Sequence, residues 1–309
     1  MWSEIEVALG ERVVRGELMS HHTTARAGGP ADLFVQAISA DDLRDIVSLA
    51  RRRQMPYFIL GGGSNSLVSD AGIRGLVILN KAKNIQYPIG KSVVRRVKAE
   101  SGVILPTLAR ECIQRGLGGL EWAVGVPGTV GGAVVGNAGA HGSDMAHSLV
   151  FATVLDGEGN VRDWLAQELQ FGYRTSRLKS QISNLQTLTS NPVVLEAEFE
   201  LQRSTREECE AKVVGFAEKR KRTQPPGASL GSMFKNPPGD YAGRLVEAAG
   251  LKGARVGNAE ISPVHANFFV NLGGASATDI YSLICLAREQ VRQKFNVTLE
   301  LEIGLVGEW

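Results

Sequence analysis

An α+β fold is predicted by the way the chain changes its local pattern. Helical and strand-like stretches alternate through the first third, a hairpin and one long strand follow, and helices and strands interleave again toward the end. Glycine is the compositional outlier, with 36 of 309 residues where roughly 7% is usual. It is clustered rather than scattered.

The elements follow in order. Ser39 to Arg53 is an amphipathic helix, with Ser39 as cap, Asp42 at the capping-box position and Leu43, Ile46, Val47 and Leu49 as its apolar stripe. Tyr57 to Leu60 is a short strand running into Gly61-Gly62-Gly63, and Gly75 to Leu79 and Val93 to Ala99 are further strands. Ile104 to Arg115 is helical and stops at Gly116. Leu149 to Asp156 and Val161 to Leu165, split by Gly157-Glu158-Gly159-Asn160, form a hairpin. Pro192 to Leu201 alternates strictly, with Leu195, Ala197, Phe199 and Leu201 on one face and Glu196, Glu198 and Glu200 on the other. Thr205 to Arg222 is a charged helix. Beyond the Pro225-Pro226-Gly227 break come helix Tyr241–Ala249, strand Asn267–Asn271, helix Ser276–Phe295 and strand Thr298–Val306. Domain boundaries are expected near 85 and 205.

Composition excludes several classes. The apolar content of 43% and charged content of 21% are those of a soluble globular protein. Lys+Arg 34 against Asp+Glu 32 leaves +2, so no nucleic-acid partner is expected. Cys112, Cys209 and Cys285 make neither a disulfide framework nor a metal spacing, and the five histidines make no zinc pattern, so no metal is expected. The N-terminus lacks a leader pattern, and the least polar stretch, 122–140, is broken by Pro127 and glycines. A cytoplasmic protein without membrane contact is the expectation.

The glycine clusters point to a ligand. Gly61-Gly62-Gly63-Ser64-Asn65-Ser66 follows a strand, and consecutive glycines let main-chain N–H groups turn toward an anion. Taken alone, this loop reads equally as a ligand-free turn. The second cluster, Gly125-Val126-Pro127-Gly128-Thr129-Val130-Gly131-Gly132-Ala133 continuing to Gly136-Asn137-Ala138-Gly139, shifts the balance. Neither loop is a Walker or Rossmann sequence. Two such loops on a non-Rossmann scaffold suggest a pyrophosphate-containing dinucleotide cofactor.

These residues, with His22-Thr23-Thr24-Ala25-Arg26-Ala27-Gly28-Gly29-Pro30-Ala31, Gly119-Leu120-Glu121, Tyr173-Arg174-Thr175-Ser176, Gly231-Ser232-Met233-Phe234-Lys235-Asn236-Pro237 and Leu301-Glu302-Ile303, resemble the UDP-N-acetylenolpyruvoylglucosamine reductase family over nearly the whole chain. The resemblance implies an FAD-binding pair of subdomains (1–85 and 86–204) of the vanillyl-alcohol-oxidase type, then a substrate-binding domain (205–309). It implies FAD held without a covalent link by Arg26, Gly61, Gly62, Gly63, Ser64, Asn65, Leu67, Gly125, Pro127, Gly128, Val130, Gly131, Gly132, Gly136, Asn137, Ala138 and Gly139. NADPH is the implied hydride donor and UDP-N-acetylglucosamine-enolpyruvate the implied substrate, in a bacterial monomer.

The implied chemistry passes a hydride from flavin N5 to C3 of the enolpyruvyl ether and a proton to C2. By motif position Arg174 stabilises the developing negative charge, Ser232 donates the proton and Glu302 completes the site. Glu300 shares a face with Glu302, and only the motif separates them. Tyr173, Lys235 and Asn236 are the implied substrate contacts. The basic run Lys219 to Arg222 has two readings, a diphosphate contact or a solvated helix end. His141 and Gly304 depart from the family pattern. The alternatives are another FAD-dependent oxidase or dehydrogenase on the same fold, a nucleotide-sugar binder, and a hydrolase built on Gly227-Ala228-Ser229-Leu230-Gly231; prolines on both sides disfavour the last.

Overall fold

In a computed structural model the chain is described over residues 2–87, 94–182 and 190–309. It divides into two units that do not follow linear boundaries. One takes Met1–Arg15, Leu33–Gly62 and Gly75–Lys219, and the other Gly16–Asp32, Gly63–Arg74 and Arg220–Trp309.

The first unit holds two apolar cores. In one, a four-stranded sheet runs in the order Val14–Arg15, Ala31–Ala37, Ile73–Asn80, Tyr57–Leu60, the last two strands being parallel. Helix Ala40–Arg52 contributes Leu43, Ile46, Val47 and Ala50 to the same core as Leu33, Val35, Leu76 and Ile78. The helix starts as its sequence predicts, for Ser39 Oγ accepts the Asp42 N–H at 3.1 Å.

The other core lies on an antiparallel sheet ordered Val161–Leu165, Leu149–Leu155, Val193–Arg203, Val94–Glu100, Ile85–Gln86. Strand Val193–Arg203 buries Ala197, Phe199 and Leu201 completely. Its opposite face offers Glu196, Glu198 and Glu200, which Lys98 and Arg96 of the neighbouring strand meet at 2.6–3.2 Å. Helices Leu105–Gln114 and Val130–Gly136 close this core with Leu105, Leu108, Val130 and Val134. The expected boundary near 85 thus falls between two cores of one unit, and helix Arg206–Thr223 stays with that unit as far as Lys219. Val93, the expected start of a strand, lies outside the described residues.

The second unit is built on the antiparallel order Ala228–Ser232, Phe268–Asn271, Ala259–Ile261, Arg255–Val256, with helices Ala242–Ala248 and Ala277–Phe295. Gly304–Val306 pairs in parallel with Ser66–Val68. The expected strand Thr298–Val306 is therefore shorter than its alternation predicts. Residues 300–302 instead bond one by one to 233–235: Lys235 N–H to Glu300 O at 2.9 Å, Glu302 N–H to Met233 O at 2.8 Å, and a lone Phe234–Leu301 bridge. Alternation records which side chains are buried, not whether a ladder continues.

Candidate active site

The two glycine loops touch within the first unit. A Cβ on Gly62 would stand 2.9 Å from the Gly128 Cα, and one on Gly61 would stand 2.5 Å from Thr129 Oγ1. Only glycine lets the two backbones approach this closely. Gly128 has φ +119°, the conformation a Pro-Gly turn requires of its second central residue. In the second unit Gly63, at φ +60°, leaves no room for a Cβ beside the His22 carbonyl.

The arrangement fits a pyrophosphate-bearing cofactor on two counts. Within the first unit, the N–H groups of Gly61, Gly62, Gly128 and Thr129 have no protein acceptor among the described residues. Gly132 and Gly136 lie one turn apart on helix Val130–Gly136; a Cβ on Gly136 would meet nothing within 4 Å and one on Gly132 only Thr129 Oγ1 at 3.7 Å. Glycine inside a helix costs about 1 kcal/mol against alanine, so a site that does not need glycine for internal packing has another use for the space.

Other expected cofactor positions are engaged by the protein. Val130 and Gly131 N–H donate to Val103 O and Ser101 O, and Ala138 N–H donates to Ala133 O. Leu67 is a fully buried core residue of the second unit, on the strand paired with Gly304–Val306. The Asn137 side chain is used up inside the protein. Its Nδ2 donates to Asp144 Oδ2 at 3.1 Å and Gly172 O at 3.0 Å, and its Oδ1 accepts Ala146 N–H at 3.2 Å. Among the remaining expected positions, Arg26 is exposed at φ +53°, Gly125 closes a 3-10 turn, Pro127 is exposed and Ser64 half-buried. Asn65 Nδ2 reaches Glu302 O at 3.2 Å, and Gly139 O accepts Arg174.

Arg174 sits in a tight turn in which Gly172 and Thr175 exchange N–H···O bonds of 3.0 and 3.2 Å. Its φ of +57° is costly for a residue with a side chain, by about 1–2 kcal/mol. The turn is held by Asn137 on Gly172 O, by Lys179 Nζ on Arg174 O at 3.0 Å and by Ser176 Oγ on Val135 O at 2.7 Å. Arg174 Nη1 donates to Gly139 O at 3.0 Å. Tyr173, exposed, and Arg174 line a cleft of about 270 Å³ with Asn137, Ser143 and Asp144. His141 shares this cleft and stacks on Phe216 of helix Arg206–Thr223, with centroids 4.1 Å apart and planes at 10°.

In the second unit Ser232 ends strand Ala228–Ser232 at an irregular register beside Gly231, φ +77°. Such a bulge turns a side chain out of the ladder. The half-buried Ser232 hydroxyl has no protein acceptor among the described residues. Asn267, 3% exposed, clamps the next residues: Met233 N–H to its main-chain O at 2.8 Å, Phe234 N–H to its Oδ1 at 3.0 Å, and its Nδ2 to Phe234 O at 2.8 Å. The Glu302 N–H bond to Met233 O brings Glu302 alongside this segment. Lys235 Nζ pairs with Glu300 at 3.2 Å, and Glu302 is half-buried. Asn236 Oδ1 accepts Ala242 N–H at 3.1 Å. His265 Nδ1 accepts the Asn267 N–H at 3.2 Å, and burial holds its imidazole below the ordinary value of 6.5. The sequence reading missed the roles of Asn137, Asn267 and Lys179, since a buried amide that spans two loops leaves no local pattern.

Glycine loops with main-chain N–H groups to offer, and a guanidinium held in a tight turn of the same unit, suit a dinucleotide-dependent enzyme, and the family model described as FAD binding domain matches residues 31–164. The model of the C-terminal domain of UDP-N-acetylenolpyruvoylglucosamine reductase matches residues 223–306. UDP-N-acetylenolpyruvoylglucosamine reductase 2 of Symbiobacterium thermophilum is 43% identical over 96% of this chain and 92% of its own. The Rubrobacter xylanophilus reductase is 44% identical over 94% of each. The crystal structure of the Thermus caldophilus reductase covers 96% of this chain and 99% of its own, at 35% identity and TM-score 0.77. The chain belongs to the UDP-N-acetylenolpyruvoylglucosamine reductase family, FAD-dependent oxidoreductases of peptidoglycan precursor synthesis. Among the described residues no helix is long and apolar enough to cross a membrane.

Proposed function

We propose that this protein reduces UDP-N-acetylglucosamine-enolpyruvate to UDP-N-acetylmuramate with NADPH, using Arg174, Ser232 and Glu302. FAD, when bound, supplies the hydride relay from NADPH to the enolpyruvyl carbon. The N–H groups of Gly61, Gly62, Gly128 and Thr129 would hold its pyrophosphate, with Gly132 and Gly136 leaving it room. Residues 1–85 and 86–204 serve the cofactor and 205–309 the substrate.

The chain's own chemistry is proton and charge management. Arg174, fixed by its turn, takes the substrate carboxylate and stabilises the negative charge that develops at C2. Ser232 Oγ gives its proton to C2. Glu302 orients the acceptor side of that transfer, and Lys235, Tyr173 and Asn236 contact the substrate. The supporting observation is the pairing of 233–235 with 300–302, which sets the Ser232 and Glu302 segments side by side in one unit.

The test is Ser232→Ala. Flavin reduction by NADPH is expected at the wild-type rate, while reoxidation by the enolpyruvyl sugar falls by about 1,000-fold. Equal loss of both half-reactions would make Ser232 a folding residue, and unchanged reoxidation would remove it as proton donor.

A further inference from the structure

We infer that Asn137, joined to Asp144, is a positioning residue that fixes the Arg174 turn. The inference rests on the proposed role of Arg174. It replaces the expectation that Asn137 contacts the cofactor.

The Asn137 amide has both of its protons placed, one on Asp144 Oδ2 at 3.1 Å and one on Gly172 O at 3.0 Å. Its orientation is fixed by this network, since the flipped amide would set Oδ1 against two acceptors. Its own N–H donates to Val134 O at 3.3 Å. With 4% exposure and no donor to spare, Asn137 has nothing to offer a cofactor phosphate.

The group it holds is the one that needs holding. A non-glycine residue at φ +57° persists only where its surroundings over-determine it. The Arg174 turn is gripped at the carbonyls of Gly172 and Arg174, by Asn137 and Lys179. Asp144 completes the frame from the other side. It is β-paired with Gly139, whose carbonyl accepts Arg174 Nη1 at 3.0 Å, and its Oδ1 meets His147 Nδ1 at 2.6 Å. One amide therefore ties both the main chain of the turn and the strand that receives the guanidinium. Asn137 itself takes φ +43°, a conformation that asparagine and aspartate tolerate better than other side chains.

The inference is tested with Asn137→Asp, the double variant Asn137→Asp/Asp144→Asn, and Arg174→Lys as reference. Asn137→Asp sets two carboxylates face to face and is expected to lower the melting temperature. Asp144→Asn then returns a donor to that pair and restores the melting temperature, but the tie from residue 137 to Gly172 O stays lost, leaving that carbonyl only its bond within the turn, from Thr175 N–H. The double variant is therefore expected to bind FAD with wild-type affinity by fluorescence quenching and to be reduced by NADPH at the wild-type rate. Its reoxidation by UDP-N-acetylglucosamine-enolpyruvate is expected to slow by about 100-fold, the scale of a small misplacement of a reacting group. Weakened FAD binding with normal reoxidation would return Asn137 to the cofactor and overturn the inference. Equal slowing of both half-reactions would reduce it to a stability residue, which also overturns it. If Arg174→Lys slows reoxidation and the double variant does not, this inference alone fails. If Arg174→Lys leaves reoxidation intact, the role given to Arg174 fails first.

Discussion

His265 shows how a half-buried titratable group of the second unit bears on stability. Burial is the largest influence on it and lowers its pKa below 6.5. With Nδ1 accepting from Asn267, its proton sits on Nε2 in the folded protein. The unfolded chain, with an ordinary imidazole, binds a proton first as the pH drops. Stability contributed by the neutral imidazole is thus complete above pH 6.5 and declines as the pH falls below it. His265→Gln keeps an acceptor for Asn267 and removes the titration. Urea midpoints between pH 7.5 and 5 are expected to fall more steeply for the wild type than for the variant, and parallel slopes would exclude His265 as the cause. At this scale Arg174, Ser232 and Glu302 are legible as candidates because each sits in a short ordered string of sequence. Leu67 and Asn137 read as cofactor positions from their places in the two glycine strings, while their side chains are taken up within the protein. The first turns into a core and the second into a network that only the folded chain assembles.

Helix Ala277–Phe295 begins with a complete capping box between Ser276 and Asp279, and a second anion supports it from afar. Asp70 accepts Ala277 N–H and Thr278 N–H at 2.8 Å each and the Thr278 hydroxyl at 2.6 Å. Burial raises the Asp70 carboxyl, but these bonds outweigh it and hold it below the ordinary 3.8. Its contribution is therefore present above pH 3.8 and lost as the pH falls below it. Asp70→Ala is expected to cost about 1–2 kcal/mol at neutral pH, the upper range for a lost cap, and the gap to wild type should close in acid. A gap independent of pH would mean lost packing rather than lost charge. Elements with their own periodicity or caps were legible in the sequence: Ala40–Arg52 with Ser39, Tyr57–Leu60, the Leu149–Leu155 hairpin and Val193–Arg203. Strand Ala31–Ala37 was not legible, because Asp32 and Gln36 break its apolar run; Asp32 is answered by Arg74 at 2.7 Å, a partner local reasoning does not see. The final strand was overextended for the converse reason, since 298–303 alternate without forming a ladder.

At the scale of the whole chain, the second unit is assembled from three stretches of sequence, and its folding depends on all of them. Its core takes Ala25 and Ala27 from the first stretch and Leu67 from the second. Gly304–Val306 has Ser66–Val68 as its pairing strand, and Ser69 N–H donates to Val306 O at 2.9 Å. Asn271, 8% exposed, donates Nδ2 to Ala25 O at 2.9 Å across 246 residues of sequence, and Thr24 Oγ1 bonds Ser229 O across 205. A fragment cut at the linear boundary, residues 220–309, would carry the four-stranded sheet and both helices but lose every one of these partners. The orphaned Asn271 amide alone would cost about 1–3 kcal/mol, the core would open where Leu67 stood, and strand 304–306 would be left with an unpaired edge. Against a stability of about 5–15 kcal/mol for a whole domain, those losses are enough to prevent folding. The fragment is expected to melt without a cooperative transition and to show poorly dispersed amide resonances. Joining 16–32 and 63–74 to it through flexible linkers should restore both signals. A fragment that melts cooperatively by itself would show that the second unit folds from contiguous sequence and that the two early stretches are only draped on it. Because the missing partners lie some two hundred residues upstream, this unit cannot form until nearly the whole chain is available, and its folding rate should be set by those long closures.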